Sequence, residues 1–206
     1  MKTFVLTYFD FDGGRAEPFR ITMSRGGVSF TDKRISFPEF GELRSSLPLS
    51  AVPILNADGT DYTQSKAMTR YAGRLTNLYP EDPWEAFLCD EAIDIVDDAM
   101  VALIGTFGME GNDMKSAREE LANGVFRRCL LLLGKRIEDA GGKYVCDNRL
   151  TIADLMVYVW CRSLGAGHLD HIPVDIVETV SATMAGHRER IAADPCVREY
   201  YEARGN

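Results

Sequence analysis

The apolar period of this chain changes for good at one place, the stretch Leu78 to Trp84, which carries Pro80 and Pro83 and no periodic run. Before it the pattern switches repeatedly between the two-residue period of a strand and the 3.6-residue period of a helix; after it only helical spacing is found. A chain divided in this way has to build two differently made units. The division expected is a small α/β unit over residues 1–78, a linker over 79–84 and an all-helical unit over 85–206. A length of 206 residues can supply both with a buried core.

In the first unit Thr3 to Tyr8 is rich in β-formers and reads as a strand. Gly13-Gly14 breaks the chain, Ala16 to Arg25 reads as a helix with Pro18 in its first turn, and Gly26-Gly27 stops it. Val28 to Ile35 is the second expected strand, Phe37 to Leu43 a short helix or a loop, and Val52 to Leu55 a short apolar strand containing a proline. Asn56-Ala57-Asp58-Gly59 is a tight turn, Thr60 to Tyr62 a return strand and Gln64 to Leu75 a helix, so the order is β-α-β-α-β-β-α. Helices are expected next over Phe87 to Phe107, Met114 to Ala140, Thr151 to Leu164, Val174 to Ala192 (one or two) and Pro195 to Ala203. Thr151-Ile152-Ala153-Asp154 has capping-box spacing, and Asp154 is read as part of a helix start, not as a chemical group.

The net charge of -8, from 23 Lys and Arg against 31 Asp and Glu, argues against a general nucleic-acid or anionic-membrane surface. The first residues lack the apolar core of a signal peptide, and no run is long enough to span a bilayer. The five cysteines are widely spaced and never in CxxC, which suits free thiols in a reducing, cytoplasmic setting. His168, His171 and His187 have no metal-ligand spacing with them, so no metal is expected.

Four places in the first unit hold polar groups that a core does not require: Tyr8 at a strand end, Arg15 at a helix start, Arg44 near the end of the second segment, and Gln64-Ser65 opening the next helix. Each alone has a plain structural reading, as a half-buried strand tyrosine, a surface arginine or a helix cap. Together they outline an anion site, since free N–H groups at a helix start favour a carboxylate or phosphate. Pro53 in a strand is resolved by a cis Val52–Pro53 bond that turns Val52 outward to pair with an extended ligand, or by a trans edge position.

Taken in combination, Leu6-Thr7-Tyr8-Phe9-Asp10, Gly14-Arg15-Ala16-Glu17-Pro18, Arg34-Ile35, Leu47-Pro48 with Val52-Pro53-Ile54-Leu55, Asp58-Gly59 with Gln64 to Tyr71, Asp94 to Met100 and Leu150 to Asp154 resemble the cytosolic glutathione S-transferases. The likeness is greatest to the sigma class, which includes glutathione-dependent prostaglandin D synthases and helminth enzymes. It implies a thioredoxin-like first domain, a helical bundle second, a homodimer, and glutathione as co-substrate. It assigns thiol activation to Tyr8 with Arg15, and glutathione binding to Tyr8, Phe40, Arg44, Val52, Pro53, Gln64 and Ser65. Asp97, in preference to Asp98, would reach the ligand amine from the partner subunit. Phe40 stands for a usual tryptophan and Arg44 for a usual lysine. Small hydrophobic electrophiles would lie among Phe9, Phe11, Ile104, Phe107 and Trp160, although Trp160 by itself reads more readily as core.

The chain departs from the family pattern in three places. The Asp10-to-Gly14 loop is one residue longer than usual, with Asp12 where arginine is common; Leu49-Ser50-Ala51 replaces a turn with a ligand-binding side chain; and Lys66 replaces an apolar residue after Ser65. The expected activity is conjugation of glutathione to electrophiles, with hydroperoxide reduction or prostaglandin-type isomerisation as side activities. The alternatives are a crystallin-like, non-enzymatic dimer and a scaffold with an acidic helical surface.

Overall fold

A computed structural model describes residues 2–205. Four strands, β1 (Phe4–Phe9), β2 (Thr31–Ile35), β3 (Ile54–Ala57) and β4 (Thr60–Tyr62), form one sheet in the order β2-β1-β3-β4. β1 runs parallel to β2, with Tyr8 beside Arg34, and antiparallel to β3, which turns back into β4. Alternation along β1 puts Phe4, Leu6 and Tyr8 on its buried side. There they pack with Phe19 and Met23 of α1 (Glu17–Arg25) and Met68 and Ala72 of α3 (Ser65–Leu75). Tyr8 is therefore held by the same two-residue period that builds the core.

β2 starts at Thr31 and not at Val28, because Val28 N–H is drawn back onto Met23 O at 3.0 Å and Gly27 N–H onto Ser24 O. This is the double closure of a helix end, with Gly27 at φ 62°. Phe37–Leu43 is a helix, α2: Glu39 N–H donates to Ser36 Oγ at 3.3 Å, and the Glu39 carboxylate accepts Ser36 N–H at 2.7 Å. The Val52–Pro53 bond is cis.

α4 spans Pro83–Ile104, so Pro83 and Trp84, expected in the linker, belong to a helix. Asp82 accepts the N–H groups of Trp84 and Glu85 at 2.9 and 3.0 Å, and Pro83 stands where no N–H is needed. α5 (Gly111–Leu121) and α6 (Arg127–Asp139) are joined through a π-helical stretch, Ala122–Phe126. α7 (Ile152–Gly165), α8 (Ile176–Val180), α9 (Ala182–Ala192) and α10 (Pro195–Glu202) complete the helical unit.

Ile152 through Cys161 of α7 are all buried, which makes it the central helix. α1 serves both units: Glu17 through Met23 are buried, and it packs on α3, α7 and α10. Ile21 points into the helical core while Phe19 and Met23 point into the sheet's. Gly73 lets α3 approach α7, since a Cβ there would lie 2.8 Å from Ile152 Cγ2.

The expected capping box is present and is part of something larger. The buried Asp154 carboxylate accepts Thr151 N–H and Val145 N–H, both at 2.8 Å, and its Oδ1 lies 2.9 Å from His187 Nε2 of α9. One side chain thus ties the start of α7 to the preceding loop and to a second helix. Asp154→Ala strands several buried donors and should lower stability by about 3 kcal/mol, read from the urea midpoint. A loss under about 1 kcal/mol would show that these bonds carry no such weight.

Candidate active site around Tyr8

Tyr8 ends its strand with its ring buried and its hydroxyl at the turn that follows. Tyr8 Oη accepts the backbone N–H of Arg15 at 3.1 Å, which leaves the phenol its own proton to donate. Burial raises the phenol above its ordinary range, and the Arg15 N–H and the charges of Arg15 and Arg20 only partly oppose this. Gly14, at φ 66°, is required here: a Cβ would stand 2.6 Å from Tyr8 Oη.

The turn is anchored from behind by Arg20, whose side chain is fully buried on α1. Its guanidinium donates to Phe9 O at 3.3 Å, Phe11 O at 3.2 Å, Glu17 Oε2 at 3.2 Å and Asp32 Oδ1 at 3.0 Å, and stands 5.6 Å from the Tyr8 ring centroid. Glu17, the buried partner of Arg20, has its carboxyl raised above its usual range by burial, which the Arg20 charge only partly opposes. Asp12, where the family often has arginine, is met by Arg204 at 2.6 Å and Arg34 at 3.6 Å. The longer loop is therefore tied to the C-terminal segment and to β2.

Beyond the hydroxyl lies an aromatic wall. Phe9 meets Phe11, Phe37 and Phe40 at centroid distances of 6.1, 4.5 and 5.2 Å, and Tyr8 meets Phe9 and Phe11. Phe37, 68% exposed, did not stand out in the sequence as a site residue; its place after the Ser36 cap was the available signal. Arg44 is exposed and stands 5.8 Å from the Phe40 ring centroid. Ile104 and Phe107, at and beyond the end of α4, are exposed. Trp160 is not at this wall. It is 3% exposed and packs edge-on to Phe126 inside the helical core.

On the other side of Tyr8 is the start of α3. Gln64 precedes it at φ 74°, Ser65 is its first residue and Lys66 its second. The Arg15 guanidinium does not turn to the Tyr8 hydroxyl; its Nη1 is 2.7 Å from Asp97 Oδ1 of α4. Asp97 Oδ2 is 3.0 Å from Lys66 Nζ. Asp97 was expected to serve a ligand on the partner subunit, and here it is bound within its own chain. These contacts bring Tyr8, Arg15, Asp97 and the α3 start into one region, with Phe9, Phe11, Phe40 and Arg44 following along the wall. Among the described residues no group of three or more His, Cys, Asp or Glu side chains is arranged to hold a metal, and no helix is long and apolar enough to cross a membrane.

Such a site offers the N–H groups of a helix start to an anion and, close by, a protonated phenol as a hydrogen-bond donor. A family profile described as "Glutathione S-transferase, C-terminal domain" matches residues 93–204. Glutathione S-transferase 1 of Ascaris suum is 32% identical over 161 residues, 76% of this chain and 78% of that protein. S-crystallin 4 of Enteroctopus dofleini is 30% identical over 171 residues, 77% of this chain and 79% of that one. The solved structure of prostaglandin synthase D of Nilaparvata lugens superposes with a TM-score of 0.86 at 26% identity, over 97% of each chain. A thioredoxin-like unit that carries the phenol and a helical unit matched by the profile together establish that the chain belongs to the glutathione S-transferase family.

Proposed function

We propose that this glutathione transferase activates the glutathione thiol with Tyr8 and directs the thiolate at hydrophobic electrophiles held against the Phe9–Phe11 wall. The observation that carries the reading is the Arg15 N–H on Tyr8 Oη, which orients a neutral phenol with its proton free to donate. A thiol with a pKa near about 8.5 is mostly protonated at neutral pH, and a hydrogen bond from the phenol to sulfur favours the thiolate. The sulfur then attacks the electrophilic carbon. A C–S bond forms, the leaving group departs with its electron pair, and the thiol proton has passed to solvent. The neighbouring side chains supply position and field rather than covalent help.

The tripeptide would run from the α3 start to Arg44. Gln64, Ser65 and the free N–H groups of α3 suit the γ-glutamyl carboxylate, and Val52, beside the cis Pro53, suits the backbone of the cysteinyl residue. Phe40 flanks the ligand and Arg44 suits the glycyl carboxylate. Ile104 and Phe107, exposed at and beyond the end of α4, would line the electrophile side. A homodimer is supported by the exposed Tyr71 and Leu75 of α3 and Trp84, Phe87 and Val101 of α4. A cytoplasmic setting is supported by five cysteines that are all free.

Two variants test the site, each with glutathione binding measured beside turnover of an aryl halide. Tyr8→Phe should keep binding and lower kcat/KM by about 10- to 1000-fold. Wild-type binding without turnover would favour a crystallin-like dimer; no binding at all would remove both readings. Gly14→Ala, by pushing on Tyr8 Oη, should also lower kcat/KM by at least about 10-fold without loss of the fold. Normal turnover would show that the close approach is unimportant.

The pH profile has a defined sign. Because the phenol is raised above its ordinary value of 10.0, it stays protonated through the range in which the bound thiol ionises. The kcat/KM value should rise with pH as the thiol ionises and show no fall below about pH 10. A descending limb between about pH 8 and 10 would mean that Tyr8 titrates early and does not donate as described.

A further inference from the structure

A lysine in the first turn of a helix is unfavourably placed, because its charge faces the positive end of the helix dipole. Lys66 is in that position, directly after Ser65. Two carboxylates of α4 compensate it: Asp94 Oδ1 at 2.9 Å and Asp97 Oδ2 at 3.0 Å. Loss of water around Lys66 works against its charge, but the bonds to Asp94 and Asp97 hold the ammonium above the ordinary lysine range. Asp94 also meets Arg70 at 3.3 Å, and Arg70 meets Asp90 at 2.6 Å. Signs alternate from Arg15 through Asp97, Lys66, Asp94 and Arg70 to Asp90, so the ladder spans the junction between α3 and α4.

Both oxygens of Asp97 carry a cation in this ladder, Oδ1 Arg15 at 2.7 Å and Oδ2 Lys66 at 3.0 Å. A ligand ammonium that uses Asp97 therefore meets a carboxylate whose charge is already shared by two cations, one of them Lys66. The same lysine leaves a positive charge beside the N–H groups that suit a carboxylate.

We propose that Lys66 is a specificity-determining residue: it fills the cation place at Asp97 that a ligand's α-ammonium would take, and so makes the site select the γ-glutamyl end by its carboxylate. This rests on the reading that the start of α3 receives the γ-glutamyl end. The same holds whether Asp97 serves its own protomer's ligand or its partner's, because Arg15 and Lys66 neutralise its charge in either case.

The test is a cycle of two ligand analogues against one side chain. Glutaryl-Cys-Gly keeps the carboxylate and lacks the ammonium; 4-aminobutyryl-Cys-Gly keeps the ammonium and lacks the carboxylate. Dissociation constants for both and for glutathione are measured by calorimetry on the intact wild type and on Lys66→Met. In the wild type, loss of the ammonium should weaken binding by less than about 3-fold, and in Lys66→Met by more than about 10-fold. The penalty for losing the carboxylate should shrink by about 3- to 10-fold in the variant. Lys66→Arg should keep the wild-type pattern. Should Lys66→Met not fold, Lys66→Gln removes the same charge and serves in its place. An ammonium penalty that is equal in wild type and variant would overturn the proposal. Failure of the wild type to bind glutathione at all would instead overturn the placement of the tripeptide.

Discussion

Much of the active-site geometry depends on burying one charge. A guanidinium taken out of water is costly unless each of its nitrogens finds an acceptor, and removing a partner from such a group is strongly destabilising. Arg20 meets the condition with two carboxylates and two carbonyls, and those carbonyls belong to Phe9 and Phe11. The need to satisfy the buried cation therefore fixes the path of the chain just beyond Tyr8. Gly13 and Gly14 follow from that path, and the N–H of Arg15 is delivered to the phenol. The Tyr8 hydroxyl is thus held by backbone whose course is set one layer below it.

The junction of the two units runs through the candidate site. Arg15 belongs to the first unit and Asp97 to the second, and their 2.7 Å contact closes the site from the helical side. The ladder from Asp97 to Asp90 continues that contact along α3 and α4. Pairs of this kind, still partly open to solvent, contribute little one at a time. Their value here is geometric: they hold the helix start that carries Ser65 at a set distance from the phenol. The loop that is one residue longer than the family pattern is handled likewise, with Asp12 tied to Arg204 at the far end of the chain.

What could be read from the sequence was what local period and capping decide. The run of β-formers from Thr3 to Tyr8 placed the tyrosine at a strand end, the glycine pairs marked the turns, and the box at Thr151 marked the central helix. What could not be read depends on partners far away in the chain. Arg20 in an amphipathic helix looks like any surface arginine until Asp32 and the carbonyls of residues 9 and 11 are brought to it. Trp160 in an apolar helix reads as wall or as core, and only the rotation of α7 decides between them. Asp97 was singled out as a ligand group, yet nothing in its own neighbourhood shows that Arg15 and Lys66 converge on it. Val28 was assigned to a strand because its apolarity outweighed the preceding Gly-Gly pair, whose closure in fact holds it against α1.

The two-sided burial of α1 bears on how a protein of this kind can be divided. A fragment ending after α3 would keep every strand and most of the candidate site residues, yet it would turn Ile21 and the adjoining face of α1 toward water. It would be a sheet with a sticky back, prone to self-association before it could bind anything. The proline-bracketed seam is conspicuous in the sequence, but it marks a change of architecture and not a line along which working pieces separate. For shuffling or truncation the natural unit is the whole chain, because the helix that opens the first half also completes the second.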